Sequence, residues 1–248
     1  MAKAMQNVGL WVADRDVACD VNQCDLTVTV AELSTTVFGC ADSTDRGWES
    51  SISGKRSAKL AYAGFSDFSA ADLSGQTFAD LGGLQPITVT PDIPATPALG
   101  DLAYFFRARR YEVSMDDTHG DVAKVSVTAG GSGDVIRGRL MVPKSAITAT
   151  GSSASSQVGA VSATQSVYAS LHVFTVSGTS PTLDVTVGSD DNSGLTSETS
   201  RLTFPQATGV GSGWQSLAGA ITDDYWVVNY TIGGTTPSFT FAVAIGIA

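Results

Sequence analysis

The sequence is short of the residues that carry acid–base, redox and nucleic-acid chemistry. Its 248 residues include two histidines, three cysteines and only 15% charged side chains. Basic residues all but disappear along the chain: of 14 Lys and Arg, 13 lie at or before Lys144 and only Arg201 lies beyond. Acidic residues divide 18 and 6 at the same point, so both parts sum to −5 (13 − 18 and 1 − 6). A chain of net charge −10 without clustered Lys and Arg does not wrap nucleic acid, because phosphate neutralisation needs such clusters. Mean hydropathy is +0.12, yet no run approaches the roughly 18 apolar residues of a membrane helix. The opening Met1-Ala-Lys-Ala-Met-Gln-Asn7 has no apolar core of a secretion signal, so production in the cytoplasm is expected. Cys19, Cys24 and Cys40 are odd in number, lack C-x-x-C spacing and have no nearby His. They read as reduced thiols, with Cys24 on the inner face of a strand, and not as a disulfide or metal site.

What the sequence does have is alternation. Cys24, Leu26, Val28 and Val30 alternate with Asp25, Thr27 and Thr29, which predicts a strand with one buried and one wet face. Ala123, Val125, Val127 and Ala129 repeat the pattern, as do Ile136, Gly138, Leu140 and Val142 opposite Arg137 and Arg139. Leu183, Val185 and Val187 form another set, and Trp226, Val228, Tyr230 and Ile232 a further one. In the last strand Phe239, Phe241, Val243, Ile245 and Ile247 share a face. The small residues Thr240, Ala242, Ala244 and Gly246 share the other, which permits close approach of another sheet or subunit. Turn residues at short spacing between these runs predict an all-β chain of the sandwich or barrel kind.

Gly178-Thr-Ser-Pro181 and Gly234-Thr-Thr-Pro237 form a local repeat, read as the turns of two similar hairpins. The one helical candidate is 69–81, where Ser69 can cap and Phe78 and Leu81 join an apolar stripe that Gly75 interrupts. The Ser/Ala/Thr/Gly-rich stretch 145–164 coincides with the charge shift. It reads as a linker or long surface loop between a module at 1–144 and one at 165–248. The loop 86–99 carries four prolines and is extended, suited to an arm that reaches a neighbour.

A search for catalytic constellations is negative. His172 lies in a strand and reads as structural, since a base needs a named partner. His119, in Asp116-Asp-Thr-His-Gly-Asp121, reads as part of a solvated turn, with a divalent cation as the alternative. Asp14, Asp16 and Asp20 lack the glycine and terminal Glu of a calcium loop, and Asp190-Asp-Asn-Ser-Gly194 reads as a turn. Ser53-Gly-Lys-Arg56 fails the phosphate-loop signature because Glu49 stands where its first glycine belongs. No G-x-S-x-G elbow occurs. These residues point to no catalytic, cofactor or metal site. Arg107, Arg109, Arg110, Arg137 and Arg139 form basic stripes on strands. They read either as a solvated face or as intersubunit ion pairs with the Asp residues of the same half.

Val12-Ala-Asp-Arg-Asp-Val-Ala-Cys-Asp-Val-Asn22 precedes the strand at 26–30. Then follow Glu32-Leu-Ser-Thr-Thr-Val-Phe-Gly39, a polar loop and a strand ending in Gly64-Phe65. A short helical region, a proline-bearing loop, strands around 103–115, Gly120-Asp-Val122 and Arg137-Gly138 continue the order. Over roughly 1–144 this resembles the tail tube proteins of long-tailed (siphophage-type) bacteriophages. Tyr168-Ala-Ser-Leu-His-Val173, Ser189-Asp-Asp-Asn-Ser-Gly194, Thr203-Phe204 and Asp224-Tyr-Trp-Val-Val228 are similar to the β-sandwich appended to such proteins. Gly47-Trp48, Cys19 and Cys40 depart from the pattern.

The resemblance implies a tail-tube-like β-sandwich or barrel with a short helix, followed by a second small β-sandwich. It implies a virion subunit, assembled in the host cytoplasm, that forms hexameric rings stacked around a channel. Its partners would be copies of itself, other tail proteins and DNA that passes without specific binding. No membrane is implied. An acidic lumen would let phosphates slide past the wall. Two other readings stay open. One is a capsid or tail decoration protein. The other is a carbohydrate-binding sandwich, suggested by Trp214, Tyr225, Trp226 and Tyr230, whose alternation also fits a core.

Overall fold

A computed structural model describes residues 8–35, 51–66, 78–91, 97–116 and 122–248. The strands are β1 (Gly9–Val12), β2 (Arg15–Asp16), β3 (Val21–Ser34), β4 (Ser51–Phe65), β5 (Leu84–Thr90), β6 (Leu102–Asp116) and β7 (Lys124–Gly131). They continue with β8 (Ile136–Ile147), β9 (Gly151–Ser152), β10 (Ser156–Gln157), β11 (Ser166–Asp190), β12 (Thr199–Thr203), β13 (Gly211–Ala218) and β14 (Tyr225–Ile247). The chain is all-β, as its alternation predicts. Most of the expected helix 69–81 lies outside the described residues. Its end, Phe78 and Ala79, is helical, and Phe78 is 66% exposed. Among the described residues no helix is long and apolar enough to cross a membrane.

One antiparallel path runs β12-β11-β14-β8-β6-β5-β1-β2, with β7, β4 and β3 branching from β6. Its buried side chains form three clusters. Leu10, Leu60, Tyr62, Phe106, Val125 and Val127 fill the first half. Val167, Leu171, Val185, Trp226, Phe241 and Val243 fill the second. Trp11, Ala103, Phe105, Ile136, Leu140, Ala242 and Ala244 join the two. The small face of β14 thus meets the sheet of the first half within the same chain. Gly138 marks the tightest approach, where a Cβ would lie 2.1 Å from the Ile245 carbonyl oxygen. The stretch 145–164 contains the end of β8 together with β9 and β10, and all three pair with β14.

The Gly-Thr-(Ser/Thr)-Pro repeat is not a pair of hairpin turns. Its two copies lie side by side in the middle of β11 and β14, with Thr179 opposite Thr235. Gly178 and Gly234 have φ of +111° and +115°, and Ser180 and Thr236 of +50° and +48°. Register shifts fall at the same place. Both long strands bend there, so side chains before and after the bend meet in one core: Val173 with Val185, and Trp226 with Phe241. Each bent strand therefore serves both sheets of one sandwich. The two glycines approach reciprocally. A Cβ on Gly178 would lie 2.8 Å from the Thr236 carbonyl oxygen, and one on Gly234 2.8 Å from that of Ser180. Only glycine fits such a contact at positive φ.

Candidate assembly surface

β3 and β4 are 14 and 15 residues long, but the rest of the fold reaches only their lower part. β4 pairs with β7 over 59–65, and among the described residues β3 pairs with β4 alone. Residues 28–34 and 51–57 therefore form a two-stranded ribbon that stands clear of the sheet. Their register is Val28 with Ala58, Val30 with Arg56 and, past a bulge, Glu32 with Ser53 and Leu33 with Ile52.

Directly opposed residues share a face of an antiparallel pair, so this register sorts the ribbon into two faces. One carries Asp25, Thr27, Thr29, Ala31, Leu33, Ile52, Lys55, Ser57 and Lys59. The other carries Cys24, Leu26, Val28, Val30, Glu32, Ser53, Arg56, Ala58, Leu60 and Tyr62, because the extra residue of the bulge lies on β4. The lower part of the apolar face covers the first core, where Leu60 and Tyr62 are buried and Cys24 and Leu26 half-buried. Burial, with the neighbouring Asp25 carboxylate, pushes the Cys24 thiol up to about 11, so it stays protonated and inert. Beyond that point the stripe runs into solvent at Val28 and Val30, 54 and 49% exposed, and Leu33 and Ile52, 50 and 57% exposed, lie on the opposite face past the bulge. The alternation of β3 predicts a buried face along its whole length, and the upper half departs from that because among the described residues no element but β4 pairs with it. At the base, Val8, Cys24, Leu26, Val28, Val89 and Tyr104 line an open groove of about 420 Å³.

The five arginines do not form one patch. Arg110 is buried, paired with Asp80 at 2.9 Å and bonded to Gln85. Arg109 donates to the Gly82 carbonyl at 2.7 Å. Arg107 lies over Trp214, 5.8 Å from the ring centre. Arg137 and Arg139 are exposed opposite Tyr104 and Leu102, on the sheet face away from Arg107 and Arg109.

Three of the four aromatic residues that suggest sugar stacking are engaged inside the fold. Trp214 packs on Phe105 and Tyr168 at 5.6 and 5.8 Å. Trp226 is fully buried and donates to the Gly159 carbonyl at 2.9 Å. Tyr230 meets Phe241 edge-on.

His172 is fully buried where the two halves join. Its Nδ1 lies 2.5 Å from the Ala13 carbonyl oxygen, which can only accept, so Nδ1 carries the proton. Nε2 then accepts from the Thr88 hydroxyl at 2.8 Å, and Thr88 also meets Ser170. Trp11 and Phe174 enclose the ring. Burial pushes this imidazole down to about 4, outweighing the Ala13 bond and the nearby Asp14 and Asp16 carboxylates.

The remaining acidic stretches are structural. Asp16 pairs with Lys144, and Asp190 accepts from the Asn192 and Ser197 amides in a turn. Arg201, the one basic residue after Lys144, ties β12 to Asp223 at 2.8 Å and to Ser189 of β11. Hydrogen bonds from the Ser189 hydroxyl and from Arg201 hold the Asp223 carboxyl below its ordinary range. His119 and Cys40 lie outside the described residues. Among the described residues no group of His, Cys, Asp and Glu is arranged to hold a metal ion.

No protein-family model matches the sequence, and no curated protein does. Solved structures similar to the chain include a protein in the virion of a native gene transfer agent particle. It is 16% identical, covers 55% of this chain and 98% of that one, and has a TM-score of 0.40. A chain from the tail of an empty gene transfer agent particle with C6 symmetry is 15% identical over 54% of this chain and 97% of that one, with a TM-score of 0.40. The Dit protein of phage SPP1, described as a paradigm of hub adsorption apparatus in phages infecting Gram-positive bacteria, is 12% identical. It covers 97% of this chain and 99% of that one, with a TM-score of 0.33.

Proposed function

We propose that this chain is a non-catalytic structural subunit of a phage tail. It closes into rings, hexameric as the sequence resemblance implies, that stack into the tube through which DNA passes. The observation that carries this reading is the upper part of the β3–β4 ribbon. It pairs with nothing else in the described chain and exposes Val28 and Val30 on one face and Leu33 and Ile52 on the other. An isolated two-stranded ribbon is marginal in water, and long apolar edges aggregate unless something pairs with them. Closing copies into a barrel removes those edges.

In this reading 1–144 forms the ring wall, 165–248 an outer sandwich, and 145–164 the link between them. The polar face of the ribbon suits a channel wall. Its Thr and Ser residues are accompanied by Asp25, Lys55 and Lys59, with no cluster that would grip phosphate. The subunit assembles in the host cytoplasm, ends in the virion tail, and contacts other tail proteins at the ends of the stack.

Negative-stain electron microscopy of the purified chain over a concentration and salt series tests the proposal. Rings or hollow tubes of uniform diameter are expected. Single rings that never stack would move the subunit to an end of the tube. Monodisperse monomers under every condition would overturn the reading in favour of a decoration protein.

A further inference from the structure

The polar face of the ribbon continues onto β7 and β6. Opposed residues of adjacent strands share a face, so the pairings of β3, β4, β7 and β6 set out rows across all four strands. One row reads Thr27, Lys59, Gly130 and Arg109, and the next row on the same face reads Asp25, Ala61, Thr128 and Glu112. The first holds two basic side chains and no acidic one, and the second two acidic and no basic one. All four charged residues are exposed, and none forms an ion pair with a described residue. Between Lys59 and Arg109 stands a glycine, and Tyr111 occupies the space above it. A Cβ on Gly130 would lie 2.6 Å from the Tyr111 ring, and Tyr111 is 66% exposed. Tyr111 is the extra residue of the register shift between Arg110 and Glu112, a bulge that turns its ring onto this face. An exposed aromatic ring is thus held between two cations whose Cα atoms are two strand spacings, about 10 Å, apart. Arg109 directs only one of its N–H donors at the Gly82 carbonyl.

We infer that Lys59, Arg109 and Tyr111 form a contact station for the phosphate backbone of DNA. This rests on the ring reading above, which turns this face toward the channel. The ribbon alone carries no basic cluster, and the station exists only where β4 and β6 flank Gly130. Repeated in every copy, the row becomes a basic girdle with an acidic one beside it, so the wall is banded and not uniformly acidic. Duplex DNA presents one phosphate charge per about 1.7 Å of its axis, so any segment in the channel offers the girdle a partner. Lys and Arg meet phosphate without reading sequence, and the Tyr111 hydroxyl can donate to a phosphate oxygen. The acidic row repels the same phosphates one step along the strands, which confines the contact to one level of the channel.

Fluorescence anisotropy of a short labelled DNA duplex with the assembled full chain, over a salt series, tests this. Sedimentation verifies assembly of each variant and circular dichroism its folding. One variant carries Lys59→Gln and Arg109→Gln, and a second carries Lys59→Gln alone, which leaves the Gly82 bond in place and decides the matter if the first fails to fold or assemble. The control is Arg56→Gln, the same loss of charge on the other face of the same strand. Lys59→Gln is expected to bind about ten-fold more weakly than the unaltered chain at low salt, with a shallower salt dependence, because every copy loses a phosphate contact. The double variant binds more weakly still, and the control stays within about two-fold. Equal losses in Lys59→Gln and Arg56→Gln would show that net charge alone matters and would overturn the station. Assembly of the unaltered chain without DNA binding at the lowest salt would also overturn it and leave the ring reading standing. If the unaltered chain never assembles, the ring reading falls and the inference with it.

Discussion

His172 is the residue at which the join between the two halves is most exposed to pH. Its ordinary value of 6.5 is depressed to about 4 in the fold. The unfolded chain therefore binds the extra proton first, and this stabilisation is complete above pH 6.5 and lost as pH falls toward 4. A shift of this size corresponds to about 3 kcal/mol. Unfolding followed by tryptophan fluorescence between pH 7 and 5, above most carboxylate titration, measures the slope. His172→Phe is expected to flatten it, while lowering stability at pH 7 by about 1–3 kcal/mol because the Ala13 carbonyl and Thr88 hydroxyl lose their partner. An unchanged slope would show that another group is responsible. Gly178 and Gly234 make the second residue-scale case. Either one changed to Ala meets a backbone oxygen at 2.8 Å at positive φ. A loss of about 2–3 kcal/mol in denaturant unfolding is expected, and a neutral effect would mean that the bend can relax.

At the scale of elements, the strands were legible because side-chain alternation has period two wherever one face is buried. Phe239, Phe241, Val243 and Ile245 share an inner face as the pattern requires, and so do Leu183, Val185 and Val187. What alternation does not encode is which strand pairs with which. Gly178-Thr-Ser-Pro181 and Gly234-Thr-Thr-Pro237 carry turn residues, but the turn is a bend in two paired strands and not a reversal of either. The β3–β4 ribbon failed differently. Val28 and Val30 belong to a faultless alternation, and their exposure follows only from the ends of β7, which no local pattern announces. The arginines were found as residues but not as a group, because pairing puts Arg137 and Arg139 on one sheet face and Arg107 and Arg109 on the other. If the exposed ribbon serves assembly alone, Val28→Thr with Ile52→Thr, one on each face, should alter thermal unfolding by no more than about 0.5 kcal/mol, as exposed sites do. A drop of several kcal/mol in dilute solution would place those side chains inside the fold of a single copy.

For the whole molecule, the same two β halves that bury three connected cores leave one two-stranded ribbon uncovered among the described residues, with apolar side chains exposed on both of its faces. A lone copy has no use for such a ribbon, whereas a closed set of copies buries it. The most direct test is electron microscopy of the unaltered chain beside the variant carrying Val28→Thr and Ile52→Thr, at matched concentration. The expected result is rings or tubes of uniform diameter for the unaltered chain and their loss in the folded variant. Equal assembly by both would contradict the claim that the β3–β4 ribbon is where copies meet.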